Sequence, residues 1–150
     1  MTRLFLTLFF AGTLLASAQD STSLNWLLDL DEAQAIAKKE KKPILMYFTG
    51  SDWCAPCKQL KEDFFDTEKF AEMAENFVLM YVDYPRRQDI ITEDQRSYNK
   101  LLILKYNKEG SFPTLVMLSA KGKVKDEISG YSSIRDTQYH YAFLERNMES

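Results

Sequence analysis

Residues 51–60 read SDWCAPCKQL and hold both cysteines of the 150-residue chain, Cys54 and Cys57, with two residues between them. Thiols at this spacing serve as a redox couple, as half of a metal site, or as a static bridge. A bridge over two intervening residues closes a very small loop, so it removes little entropy from the unfolded chain. The pair is therefore read as chemical rather than structural. Zinc takes about four ligands, and two cysteines with the single histidine, His140, fall short. Copper(I) suits a cysteine pair. Met46, Met80 and Met117, however, fall in expected strands and read as core filling rather than as thioether ligands. No metal site is assigned.

The segments around the pair place it. Upstream, ILMYF (Ile44 to Phe48) is a continuous apolar run between Pro43 and Thr49-Gly50, as expected of a buried strand. Downstream, Lys58 to Phe65 reads as helix, so the cysteines sit at a strand-to-helix junction. Before the strand, Asn25 to Leu28 is a candidate first strand. Asp31 to Glu40 is a helix with acids at its start and lysines at its end, stopped by Pro43. After the junction come a short helix (Thr67 to Glu75), a strand (Phe77 to Asp83) and a helix (Thr92 to Asn107). In that helix Thr92 and Gln95 are spaced as a capping box. Strand Thr114 to Ser119, a Lys121-Gly122 turn, strand Lys123 to Ser129 and helix Ser133 to Met148 complete the chain. Alternation at Val124 and Ile128 is partial, which marks an edge strand. The order β-α-β-α-(α)-β-α-β-β-α predicts an α/β domain, a central mixed sheet flanked by helices on both faces.

Residues 1–18 read as a cleaved signal peptide. Arg3 gives the positive region, Leu4 to Leu15 the apolar stretch, and Ala16-Ser17-Ala18 the small-x-small cleavage pattern. A dozen or so apolar residues are too few for a bilayer core that needs roughly 20. Residues 19–150 are then one domain, expected in the periplasm or another extracytoplasmic compartment, with no membrane span in the mature chain. Without Arg3, 18 basic residues face 22 acidic ones. The short basic runs at Lys38-Lys39, Lys41-Lys42 and Arg86-Arg87 read as solvated faces, so nucleic acid is not an expected partner.

The nucleophile in disulfide exchange is the thiolate. Cys54 would precede the first turn of a helix, where unpaired N–H groups and the helix dipole favour an anion. Such placement lowers a thiol pKa from about 8.5 toward 7 or below. Pro56 is tolerated in that turn because the N–H it lacks would be unpaired there. Cys57, one turn on and more buried, is placed to resolve a mixed disulfide. Trp53 offers a flat apolar cover beside an exposed Cys54 sulfur.

WCAPCK, after an apolar strand and opening a helix, resembles the active site of the thioredoxin superfamily. SFPT (Ser111 to Thr114) resembles that family's cis-proline loop, with Pro113 just before a strand. Gly130-Tyr131 matches its glycine before the last helix. The resemblance runs from Asn25 to Met148 and implies a thioredoxin fold. It implies catalytic roles for Cys54, Cys57 and Pro113, and substrate contacts by Trp53, Phe112 and Pro56. A lead-in GSDWC and the segment Val82-Asp83-Tyr84-Pro85-Arg86 are similar to exported members. One departure stands out. The family's buried aspartate and lysine, which serve proton transfer to the second cysteine, align with Tyr47 and Leu79. Asp52 and Glu62 are near in sequence but read as solvated carboxylates, and water could take the proton.

The implied function is an exported thiol–disulfide oxidoreductase acting on protein disulfides, with no cofactor beyond the Cys54–Cys57 couple. Ala55-Pro56 resembles the Gly-Pro of reducing thioredoxins more than the Pro-His of strong oxidants, so a disulfide reductase is favoured. It would draw electrons from a membrane-bound thiol donor, since no NADPH or flavin site is visible. The alternative is a thioredoxin-fold binding module or redox switch that holds partners without turnover. His140 is expected to be a partly exposed helix residue. Phe64, Phe65, Phe70 and Phe77 are expected in packing.

Overall fold

The computed structural model describes residues 24–148. The expected signal segment, residues 1–18, lies outside the described residues. Five strands, β1 (Trp26–Leu27), β2 (Ile44–Thr49), β3 (Val78–Asp83), β4 (Thr114–Leu118) and β5 (Val124–Ser129), form one sheet in the order β1-β3-β2-β4-β5. β1, β3 and β2 run parallel, and β4 and β5 run antiparallel to their neighbours. The sheet is mixed, as the element order predicts.

Its centre follows from composition. Every residue of β2 is buried, as is every residue of β4, because both strands are covered on two faces. Alternate residues therefore feed two cores. On one face Ile44, Met46, Phe48, Met80 and Val116 pack against α1 (Leu30–Glu40) and α4 (Glu93–Tyr106) through Ala33, Ala37 and Leu102. On the other, Leu45, Tyr47, Leu79, Leu115 and Met117 meet Leu60, Phe64, Phe70 and Phe143. Those come from α2 (Ala55–Leu60), the π turn that continues it (Lys61–Phe65), α3 (Glu68–Ala74) and α5 (Gln138–Met148). The three strand methionines are fully buried, and Phe64, Phe65, Phe70 and Phe77 are core.

Several expected boundaries shift for physical reasons. The helix expected over Lys58 to Phe65 divides. An α segment capped by Cys54 and holding Cys57 gives way to a π turn whose Phe64 and Phe65 both enter the core. The first helix ends at Glu40 as expected, but its stop is the cap Lys41, which takes the left-handed conformation (φ 57°) and donates its N–H to the Ala37 carbonyl, two residues before Pro43. The capping box is half made. Thr92 accepts the Gln95 N–H at 3.1 Å, while the Gln95 side chain turns to Asn99 and Leu28 instead. The last helix starts at Gln138 rather than Ser133. Arg135 holds a positive φ of 56°, which a helix interior does not allow. Its guanidinium is clamped to Asp63 (Nε–Oδ2 2.6 Å), which also accepts from the Tyr131 hydroxyl at 2.7 Å.

His140 is 4% exposed rather than partly exposed. It lies against Phe64 and Tyr131, with ring centroids 5.6 and 5.5 Å away. Burial pushes its pKa below the ordinary value, partly offset by the Gly130 backbone and the Asp136 charge.

Candidate active site

Cys54 is the N-cap of α2 and Cys57 lies inside its first turn. The two sulfurs are joined in a disulfide. The Cys57 N–H donates to Cys54 Sγ at 3.3 Å, so the sulfur replaces the oxygen that usually caps a helix. A charge on that sulfur would meet a backbone donor and the positive end of the helix. Pro56 stands in the same turn, exposed, where no N–H is needed. Cys54 itself is 3% exposed and Cys57 1%, so the expected exposed sulfur is in fact nearly as covered as its partner.

Trp53, the residue before Cys54, is fixed in place by its neighbours. Its indole N–H donates to the Tyr84 carbonyl at 2.9 Å, and its ring meets Phe112 edge-on at 5.5 Å. Gly50 makes room for it: a Cβ there would stand 2.3 Å from the indole Cε2. Phe112 precedes Pro113 through a cis peptide bond. The edge contact therefore brings the proline loop beside the residue that leads into Cys54. The loop is fixed by residues that sequence reading passed over. Buried Asn107 donates to the Ser111 carbonyl (2.7 Å) and accepts the Ser111 N–H (3.2 Å). Thr114 Oγ1 also donates to the Ser111 carbonyl at 2.8 Å. The Pro113 carbonyl accepts the Gly130 N–H at 2.7 Å, so Gly130 joins the loop.

Behind Cys57 stands Tyr47. Its hydroxyl lies 3.3 Å from the Cys57 carbonyl and 3.2 Å from Thr49 Oγ1. Burial, together with the charge of Asp83 and against the Thr49 hydrogen bond, pushes the phenol up to about 12. At neutral pH Tyr47 is thus a protonated donor and not a base. Register places Tyr81 opposite Tyr47, and Leu79 pairs with Leu45. Tyr81 is likewise raised by burial and by Asp83. Tyr47, Tyr81, Trp26 and Phe65 line a largely apolar cavity of about 250 Å³.

Asp52 and Glu62 face solvent, as expected, and each also has a partner. Asp52 accepts the Arg86 and Arg87 N–H groups, each at 2.9 Å. Desolvation pulls its pKa up, but these donors and the Arg86 charge bring it below the ordinary value. Glu62 pairs with Arg135. Asp83 is a third acid, 4% exposed, that accepts from both the N–H (2.9 Å) and the hydroxyl (2.5 Å) of Ser51. It ties the loop before the cysteines to β3. A buried acid at the end of an apolar strand is a visible signal, but its partner lies 32 positions away in sequence. Among the described residues no cluster of three or more His, Cys, Asp or Glu could hold a metal. No helix among them is long and apolar enough to cross a membrane.

A cysteine pair capping a helix after the central strand of this sheet, next to a proline loop, defines the thioredoxin-like class. The thioredoxin-like family model matches residues 25–120, and the chain belongs to that family. It is 36% identical over 93 residues to disulfide bond reductase DsbH of Chlamydia pneumoniae, covering 61% of this chain and 55% of that protein. It is 31% identical over 105 residues to the thioredoxin-related protein DsbJ of the same organism, covering 69% of this chain and 30% of DsbJ. The solved structure of DsbH oxidoreductase superposes with a TM-score of 0.71 at 26% identity, over 93% of this chain and 95% of that one. The matched region thus spans about half of the curated DsbH chain and less than a third of DsbJ.

Proposed function

We propose that this protein is an exported thiol–disulfide oxidoreductase that reduces protein disulfides. The observation that carries the reading is the Cys57 N–H donated to Cys54 Sγ at the head of α2. A donor held there stabilises the Cys54 thiolate relative to the thiol.

In the reduced protein the Cys54 thiolate attacks a substrate disulfide. The substrate S–S bond breaks, one substrate sulfur leaves as thiolate and takes a proton, and a mixed disulfide forms on Cys54. Cys57 loses its proton and attacks the Cys54 sulfur, releasing the second substrate thiol. Two electrons pass to the substrate and the Cys54–Cys57 disulfide is regenerated. Each cycle then needs a dithiol donor to reduce that disulfide, and a membrane-bound thiol protein is the class proposed. Trp53, Phe112, Pro56 and cis-Pro113 form the substrate-facing rim in this reading. Similarity to a protein named as a disulfide bond reductase supports the direction. The signal-like residues 1–18 support an extracytoplasmic, periplasm-type location.

Insulin reduction with dithiothreitol tests turnover. The wild-type protein should accelerate it, and no gain over Cys54→Ser refutes the enzyme reading in favour of a binding module. Equilibration with glutathione tests direction. A potential toward that of reducing thioredoxins, near −270 mV, is expected, and a value above roughly −150 mV refutes the reductase.

A further inference from the structure

Beside Trp53 the surface forms a shallow groove of about 330 Å³, lined by Trp53, Tyr84, Pro85, Arg86 and Arg96. Two arginines line it, Arg86 and Arg96, and Arg87 follows in the chain; their commitments differ. Arg96 turns inward, donating to the carbonyls of Pro85 (2.6 Å) and Arg87 (2.8 Å), with Glu93 at 3.7 Å. Arg87 is taken by Asp89. Arg86 alone has an uncommitted guanidinium among the described residues. It lies over the Trp53 ring, 4.8 Å from the centroid. The Asp52 charge reaches Arg86, but Asp52 spends its oxygens on the backbone N–H groups of Arg86 and Arg87. Those two bonds fix the turn from which Arg86 projects. Arg86 itself lines the groove, with its guanidinium over the Trp53 ring.

We propose that this groove is a carboxylate subsite for the disulfide substrate, with Arg86 as its ligand, so that the protein prefers protein disulfides flanked by an acidic side chain. The inference rests on the oxidoreductase reading and adds a substrate class to it. A planar guanidinium is matched to a carboxylate, which it binds through two parallel hydrogen bonds. The indole beneath Arg86 and the Asp52-braced turn hold it in place beforehand, so little side-chain freedom is lost on binding. Trp53, which lines the groove, directly precedes Cys54 in the chain and meets Phe112 of the proline loop edge-on, so the groove adjoins the segment that carries the couple. A lysine beside the target disulfide meets repulsion from Arg86 instead.

The test uses the full protein and one disulfide-linked peptide with Glu, Gln or Lys next to the target cysteine, read as kcat/KM. The wild type should favour Glu over Gln by about fivefold, as one partly exposed charge pair allows, and should disfavour Lys. Arg86→Gln should bring the Glu-to-Gln ratio to about one, Arg86→Lys should keep part of it, and Arg86→Glu should turn the preference toward Lys. Lys58 is the nearby control, an exposed cation bonded to the Asp52 carbonyl at 3.1 Å. If Lys58→Gln erases the preference as fully as Arg86→Gln, a general positive field is at work and the subsite is refuted. Equal rates for all three peptides in a wild-type protein that reduces insulin also refute the subsite alone. Failure to reduce either insulin or any peptide refutes the oxidoreductase reading, and the subsite with it.

Discussion

The hydroxyl of Tyr47 lies 3.3 Å from the carbonyl oxygen of Cys57, so the second cysteine is tied to the central strand through its own backbone. One hydroxyl carries one proton, and Thr49 Oγ1 at 3.2 Å competes for it or returns one of its own. Tyr47→Phe should therefore lower stability by about 1 kcal/mol, the usual net worth of one such bond. Because Thr49 shares the same hydrogen, the double variant with Thr49→Val should cost less than the two single losses added together. Urea denaturation of the four proteins measures this, and strict additivity would count against a shared bond.

Reduced Cys54 should titrate below the free-thiol value of about 8.5, toward 7 or less. In a Cys57→Ser variant the rate of iodoacetamide alkylation against pH gives that midpoint directly. A midpoint at or above 8.5 would mean that the cap and dipole at the head of α2 do not stabilise the thiolate.

Gly50→Ala puts a methyl group where the indole of Trp53 now lies, 2.3 Å from Cε2. The ring must leave, giving up its hydrogen bond to Tyr84 and its edge contact with Phe112. Overpacking of this kind costs about 1–3 kcal/mol. Thermal unfolding should report the loss, and Trp53 emission in a Trp26→Phe background should shift red. An unchanged spectrum would show that the ring had not moved.

His140 gives a pH dependence with a definite sign. Its pKa is lowered in the folded protein from the ordinary 6.5. Between the two values the unfolded chain binds more protons, so stability rises with pH there. The contribution is complete above about 6.5 and is lost as pH falls below it. His140→Phe should remove this slope between pH 7.5 and 5 while keeping a ring against Phe64 and Tyr131. The comparison is urea midpoints at the two pH values. A wild-type midpoint no lower at pH 5, once the slope of the variant is subtracted, would exclude the mechanism.

The order of strands and helices is legible because apolar runs and turn residues alternate along the chain. The same is true of the cysteine pair's place between β2 and α2. Other features depend on contacts between distant segments and leave no local pattern. The π turn after Leu60 falls where two adjacent phenylalanines both face the core. His140 is polar by type, and only the packing of α5 against Phe64 buries it. Asp52 looks like a surface acid until the chain returns with Arg86 and Arg87. Ser51 and Asp83 meet for the same reason.

The sheet also has two margins, and they are guarded differently. β1 is only two residues long, too short a template for a neighbouring chain to extend. β5 is longer but carries Lys125, Asp126 and Glu127 in its centre, and it is irregular where Met117 and Leu118 meet it. Asp126 is further held by Arg146 and Asn147 of α5, with bonds of 2.5 and 2.8 Å. A stranger strand arriving at that margin would have to seat itself along a row of charges. The consequence is colloidal: copies of this protein can crowd together without their sheets fusing, and neutralising Lys125 and Glu127 together should make concentrated solutions prone to fibrous precipitation.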